Sequence, residues 1–317
     1  MPDILISENI RGAAVDALAS RFEVETLPDL WKDPAELLKR VADVRALIVR
    51  NQTQVNAEMF AAAKKLVVVG RAGVGLDNVD VAAATKAGVQ IACTPDQNAI
   101  SVAELAIGLM LSLTRMIPAA NEDTKAGNWN RQRFQGTELY GKTLGIVGAG
   151  KIGFLTARRA QALGMKVLAY DPFVSPDSVL LADLNARLVG LDELLSQSDV
   201  VSCHLPSTPA TQGIFNAARF GMMKPTATFI NTSRGEVVNE ADLLEVLRAK
   251  RIGGAALDVR AKEPPQAGDL EKLDNLILTP HTAALTAEAQ HRVTESICDD
   301  VARVLDGKPA RNPVNKV

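Results

Sequence analysis

The run LILTPH ends on His281, one of three histidines in the chain with His204 and His291. Histidine has an ordinary pKa near neutrality, so it suits taking or giving a proton during a reaction. A carboxylate beside it would raise that pKa and set the orientation of the ring. Glu263, in LDVRAKEPP, is a candidate for that carboxylate. Arg234, in INTSRGEVV, is a candidate clamp, because a guanidinium fork pairs bidentately with a substrate carboxylate. A proton carrier and such a cation, beside a hydride-carrying cofactor, are what interconversion of a 2-hydroxy acid and a 2-keto acid requires. Each residue follows a strand-like run, so all three would meet at one sheet edge. Spacing alone leaves other readings open: a surface arginine in a turn, a solvated glutamate before prolines, a neutral core histidine. His204 follows the run DVVSC at a strand end and is expected to line the cofactor without doing chemistry. His291, within AEAQHRVTES, reads as a surface or interface residue.

The cofactor has its own signature. Gly148, Gly150 and Gly153, in GAGKIG, follow the run TLGIV and open a helical stretch. In such a motif the first glycine permits a tight turn and the second lets backbone approach a pyrophosphate. The third lets the helix pack close to the sheet. The pyrophosphate would sit on the helix N-terminus. The next strand-like run, KVLAY, ends at Asp171, 18 residues after Gly153. A carboxylate there would bind ribose hydroxyls and repel a 2′-phosphate, which favours NAD over NADP. The alternative is a glycine turn with a solvated aspartate, and the order strand, motif, helix, strand, aspartate argues against it.

These positions need a scaffold of parallel strands. DILIS (3–7), ALIV (46–49), LVVV (66–69) and VQIAC (89–93) read as buried strands separated by amphipathic stretches. A second series comprises TLGIVG (143–148), KVLAY (166–170), DVVSC (199–203), ATFIN (227–231), GAALD (254–258) and NLILT (275–279). Six strands are the number expected of a dinucleotide-binding sheet. Between the series lies a helical segment over roughly 101–115, then a polar stretch to Tyr140. One amphipathic helix is predicted over 286–305, stopping at Asp306-Gly307. The fold class is α/β, with two doubly wound parallel-sheet domains.

Composition narrows the function classes. The net charge is −2 and the hydrophobic fraction 47%, which suits a packed enzyme and argues against nucleic acid as partner. Three widely spaced cysteines, Cys93, Cys203 and Cys298, form neither a disulfide framework nor a zinc pattern, so no metal is expected. The opening MPDILISENI lacks the features of a signal peptide, and the longest apolar stretch (103–113) is too short for a bilayer. A cytoplasmic location without membrane contact is the resulting expectation.

Taken together, GKTLGIVGAGKIG (141–153), YDP (170–172), HLPSTPAT (204–211), NTSRGEVVNEADL (231–243), GAALDV (254–259), EPP (263–265) and TPH (279–281) resemble the D-isomer-specific 2-hydroxyacid dehydrogenases. The resemblance spans most of the chain. It implies catalysis by Arg234, Glu263 and His281, with a flavodoxin-like substrate domain (1–98 plus 286–317) around a Rossmann NAD domain (99–285), joined by two crossovers. Around the glycines it implies cofactor contacts from Lys151, Ile152 and Pro172. Further along it implies contacts from His204, Leu205, Pro206 and Thr211, and then from Thr232, Ser233, Asp258 and Ala283. A homodimer through the helical segment after Asn98 is also implied.

Within the family the chain is most similar to D-3-phosphoglycerate dehydrogenases, through VGRAGVGLDNVD (69–80) and GNWNRQRFQGTELYGKTLGI (127–146). That likeness implies substrate-carboxylate binding by backbone at Val74 and Gly75, and contact of Arg50 and Arg131 with a distal anionic group. Asn51 joins the expected substrate residues, but Asn51-Gln52 departs from the small residues usual after that arginine. Arg260, at a commonly aromatic position, and PHTAALT (280–286) are further departures. They keep sulfolactate dehydrogenase and hydroxypyruvate or glyoxylate reductase open as alternatives. An NAD(H)-sensing corepressor is the non-enzyme alternative. Such proteins add a tail beyond the last helix, and this sequence stops about a dozen residues after it. Formate dehydrogenases carry Gln where Glu263 stands.

Overall fold

The computed structural model describes residues 2–175 and 177–317. The chain divides into two compact units, Met1–Asn98 with Thr286–Val317, and Ala99–Leu285.

Among its described residues the first unit holds five parallel strands: β1 (Ile4–Ile6), β2 (Val24–Thr26), β3 (Ala46–Val49), β4 (Val68–Arg71) and β5 (Gln90–Ala92), in the order β2-β1-β3-β4-β5. This is the flavodoxin-like doubly wound order. Side chains alternate across the sheet, as a period of two dictates. Ile4, Ile6, Ile48 and Val68 pack with Val293, Ile297 and Val301 of the helix Ala287–Leu305. Leu5, Leu47, Val49 and Val69 face the opposite way, onto Leu37, Val41, Met59 and Phe60. Gly70 sets how closely that last helix lies on β4, since a Cβ there would stand 2.7 Å from Val301 Cγ2. The helix starts at Thr286, whose hydroxyl accepts from the Ala289 N–H, and stops before Gly307 at φ 76°.

One strand of this unit, β2, is not among those predicted, and one prediction shifts. β2 has no apolar run and is only half buried at the sheet edge, so its pairing with β1 makes it a strand, not its composition. The LVVV run slides by two residues to Val68–Arg71, because pairing with β3 sets the register.

Among its described residues the second unit has seven parallel strands: β6 (Thr143–Val147), β7 (Lys166–Tyr170), β8 (Arg187–Leu188), β9 (Val200–Cys203), β10 (Thr228–Asn231), β11 (Gly254–Leu257) and β12 (Leu276–Leu278). Their order is β12-β11-β10-β9-β6-β7-β8, a Rossmann sheet with one added parallel edge strand. Six strands are predicted above. The seventh, β8, is a two-residue edge strand without a buried face.

The helix Ala99–Thr114 packs on the helix Lys151–Ala162 and on β10 and β11. The polar stretch that follows it contains another helix, Ile117–Lys125, with no fully buried residue and hence no apolar stripe to betray it. Among the described residues no single helix is long and apolar enough to cross a membrane. Ala99–Thr114 and Ile117–Lys125 would pass that test only as a pair bent by 61°. The strand order reverses at β6, between β7 and β9, which places a crevice at the carboxyl ends of β6 and β9.

Candidate active site

Gly148 stands at that crevice, directly after β6, with φ 98°. Its N–H donates to the Tyr170 carbonyl at 2.8 Å, and a Cβ would meet the His204 carbonyl carbon at 2.9 Å. Gly153, in the first turn of the following helix, packs so tightly that a Cβ would lie 2.2 Å from the Gly148 oxygen. Around Gly150 nothing lies within 4 Å of a built Cβ, so its backbone is open to approach. Asp171 closes the loop: Oδ2 accepts from the Ala149 N–H and Oδ1 from the Phe173 N–H, both at 2.9 Å. Lys151 and Pro172 beside them are exposed and Ile152 is half-buried.

Two polar atoms near the same strand ends have no partner among the described residues, His204 Nδ1 and Thr232 Oγ1. Both are shielded from water, and such atoms ordinarily find a hydrogen-bond partner. The other nitrogen of His204 lies 3.0 Å from Ser202 Oγ, and burial pushes the ring's pKa down to about 4, so it stays neutral. Leu205 is buried. Thr211 folds its own loop, donating to the Pro206 carbonyl at 2.6 Å and accepting from the Thr208 N–H at 2.8 Å. An open glycine face, an anchored carboxylate and two orphaned polar atoms at neighbouring strand ends fit a dinucleotide.

The proton-transfer candidates come from loops after three adjacent strands. His281 follows β12, and its Nδ1 is 2.6 Å from Glu263 Oε2 in the loop after β11. The other oxygen of Glu263 accepts from the Arg260 N–H at 3.0 Å. The hydrogen bond to Glu263 is the main cause that raises the His281 pKa. Burial and Arg234 oppose it, while the charges of Glu263 and Asp258 support it. Glu263 is pushed up by its partial burial, yet its bonds to His281 and the Arg260 N–H, with the His281 and Arg234 charges, hold it below the usual value. Arg234 follows β10 in a turn organised by the buried Asn231. That side chain donates to the Arg234 carbonyl at 2.8 Å and accepts from the Ser233 N–H and hydroxyl. The Arg234 guanidinium donates to the Ser233 carbonyl at 2.8 Å.

Asp258 has a role in the structure that sequence reasoning did not assign. It is fully buried, and its carboxylate accepts from Thr279 Oγ1 at 2.6 Å and from the Thr282 and Ala283 N–H groups at 2.9 Å. Its own carbonyl accepts from the His281 N–H at 2.8 Å. Asp258 therefore holds the turn that presents the histidine. Gly235 was also missed: a Cβ there would stand 1.9 Å from the Arg260 carbonyl carbon, so only glycine lets the two loops meet. A glycine directly after a candidate arginine was the available signal.

The expected substrate residues divide between the units. Arg50 and Asn51 follow β3 and Val74-Gly75 follow β4, its neighbour in the first sheet. The backbone of this loop is tied to Glu8, 3% exposed, whose carboxylate accepts from the N–H groups of Arg50, Gln52 and Thr53 at 2.8, 3.2 and 3.0 Å. Arg50 is half-buried, and that desolvation pushes its pKa down against the pull of Glu8. Arg131 lies in the second unit, exposed, on the 3-10 turn Arg131–Phe134. Glu8 was also missed, its signal being an acidic residue just past the first buried strand.

Comparison with known proteins supplies the remaining evidence. Residues 107–283 match the family described as D-isomer specific 2-hydroxyacid dehydrogenase, NAD binding domain. The chain is 44% identical over 314 residues to a D-3-phosphoglycerate dehydrogenase of Archaeoglobus fulgidus, covering 98% of this chain and 59% of that protein. It spans 56% to 60% of the length of three such curated relatives. A solved structure of a Thermus thermophilus protein superposes with a TM-score of 0.92 at 35% identity, covering 98% of this chain and 99% of that one. A D-lactate dehydrogenase from Aquifex aeolicus, complexed with NAD and lactic acid, superposes at 0.87 with 26% identity and 99% coverage of both. Glycine loop, strand order and sequence match agree: this chain belongs to the D-isomer specific 2-hydroxyacid dehydrogenase family and carries that family's NAD-binding domain.

Proposed function

We propose that the protein interconverts a small D-2-hydroxy acid and its 2-keto acid, with NAD as cofactor. The observation that carries this reading is the His281–Glu263 pair at 2.6 Å beside the Arg234 loop. Glu263 accepts from Nδ1–H, which leaves Nε2 of His281 to take the substrate's hydroxyl proton. Arg234 pairs with the substrate carboxylate and stabilises charge developing on O2. NAD, when bound, supplies the acceptor for the hydrogen at C2. Gly150 and its neighbouring N–H groups, with Asp171, hold the cofactor's pyrophosphate and ribose.

The substrate is a doubly anionic acid of the 3-phosphoglycerate kind, with Arg50 and Arg131 on its distal charge and the Val74-Gly75 backbone on its carboxylate. The likeness to the Archaeoglobus fulgidus enzyme supports this over sulfolactate, hydroxypyruvate or glyoxylate. The functional form is a homodimer joined through the segment after Asn98, a reading favoured by the exposed Ile100, Ile117 and Trp129. A reducing, cytoplasmic setting suits the three free cysteines.

The test is NADH formation with 3-phosphoglycerate, sulfolactate, glycerate and lactate, in the wild type and in Arg50→Ala. Preference for the doubly anionic acids, lost in Arg50→Ala through a raised KM, is the expected result. Turnover of lactate and glycerate by the wild type as good as that of the doubly anionic acids, or an unchanged KM for those acids in Arg50→Ala, discards the distal clamp. Tight NADH binding without any turnover points instead to an NAD(H)-sensing protein.

A further inference from the structure

Glu263 sits in a loop with little apolar anchorage. From Ala261 to Asp269 every residue is exposed, and the first buried side chain is Leu270. Such a segment has no core to fix it, so polar contacts must hold its carboxylate on His281. Those contacts converge on Arg260. Its side chain is only 11% exposed. Nε and Nη2 donate to the two oxygens of Glu240, each at 3.0 Å, in a bidentate pair. Nη1 donates to Glu271 Oε1 at 2.5 Å. Both carboxylates also grip the loop's backbone: Glu240 Oε1 accepts from the Ala261 N–H at 2.7 Å, and Glu271 Oε2 from the Gly268 N–H at 2.8 Å. Glu240 is the first residue of the helix Glu240–Arg248, so the loop is pinned to a rigid element.

The backbone of the same residue completes the arrangement. The Arg260 N–H donates to Glu263 Oε1, and its carbonyl abuts Gly235, the residue after Arg234. We propose that Arg260 is a positioning residue, whose ion pairs with Glu240 and Glu271 hold the Glu263 carboxylate on His281 and the Arg234 loop alongside. This inference rests on the dehydrogenase reading above. Exposed ion pairs contribute little, but a bidentate, largely covered guanidinium between two carboxylates is of the stronger kind. Without its charge, Glu240 and Glu271 face one another uncompensated, and the loop between them loses its anchor. The charged groups facing His281 are Glu263, Asp258 and Arg234, and of these Glu263 lies in the loop that Arg260 anchors.

The experiment compares Arg260→Gln and Arg260→Lys with the wild type. The His281 ring is titrated by NMR in the protein without substrate, its signal identified by loss in His281→Asn. Because only three histidines exist, the assignment is direct. Arg260→Gln should move the His281 pKa down towards the ordinary histidine value and lower kcat roughly ten- to a hundred-fold, as expected for a misplaced catalytic pair. Affinity for NADH should stay unchanged, and Arg260→Lys should recover part of both effects. A folded Arg260→Gln with wild-type titration and kcat overturns the proposal. Should that variant fail to fold, Glu271→Gln removes one ion pair and should give a smaller shift of the same sign; no shift there overturns it equally. The titration needs no turnover, so it remains readable even if the wild type oxidises no hydroxy acid.

Discussion

His281 Nδ1 lies 2.6 Å from Glu263 Oε2, while the histidine's backbone is held in the left-handed region, at φ 54°, by its N–H on the Asp258 carbonyl. Ring and backbone are thus fixed from two sides. A non-glycine residue at positive φ is costly, and such geometry persists where surrounding contacts impose it. Here the imposing group is the buried Asp258, through three residues of the same turn.

The raised His281 pKa has a definite sign in pH dependence. In the proposed reaction, oxidation of the hydroxy acid needs the neutral ring, so its kcat should rise as pH climbs through the raised value; reduction should fall over the same window. Stability gained from the protonated pair is present below the ordinary histidine pKa and is lost as pH rises through the raised one. Glu263→Gln should move the inflection of the pH–rate profile downward, and His281→Ala should lower kcat by about two to four decades. Steady-state pH profiles in both directions check this. An inflection unmoved in Glu263→Gln would mean that the carboxylate does not tune the ring.

Gly153→Ala places a methyl 2.2 Å from the Gly148 oxygen. Helix and glycine turn must separate, and overpacking of this kind costs about 1–3 kcal/mol. A lower Tm and a weaker NADH affinity, by fluorescence titration, are expected together. Normal NADH affinity in this variant counts against the loop as the pyrophosphate site.

Asp171→Ser removes the charge that would repel a 2′-phosphate, and with it the bonds to Ala149 and Phe173. The ratio of kcat/KM for NADP to that for NAD should rise by roughly an order of magnitude or more, since like charges at contact oppose binding strongly. An unchanged ratio places the ribose elsewhere.

Glu8→Ala leaves three backbone N–H groups in the 50–53 loop without their acceptor. Losing a buried acceptor of several donors should destabilise the protein by about 2–4 kcal/mol. Denaturant unfolding reads this, and the KM for a doubly anionic substrate should rise while kcat changes less. A stability within experimental error of wild type would show that water replaces the carboxylate there.

Some of this was legible before any fold was known. From Thr143 to Asp171 a strand, a glycine turn, a helix, a second strand and an acidic residue are contiguous in the sequence. Local sterics and hydrophobic period dictate each, so strand order and cofactor class follow from neighbouring residues. Arg234, Glu263 and His281 could each be assigned to a strand end and expected at one sheet edge, but the sequence does not say which strands are neighbours there. The pairing of β10 with β11 and of β11 with β12 does that, by aligning the carboxyl ends of three strands. The short edge strands β2 and β8 carry no apolar pattern and exist only through their partners. In sequence Glu8 reads as an ordinary charged residue, Asp258 as an expected cofactor contact, and Arg260 only as a departure from a commonly aromatic position. Their actual partners lie on other loops, set by sheet register and by the close approach at Gly235, and only the tertiary structure decided them.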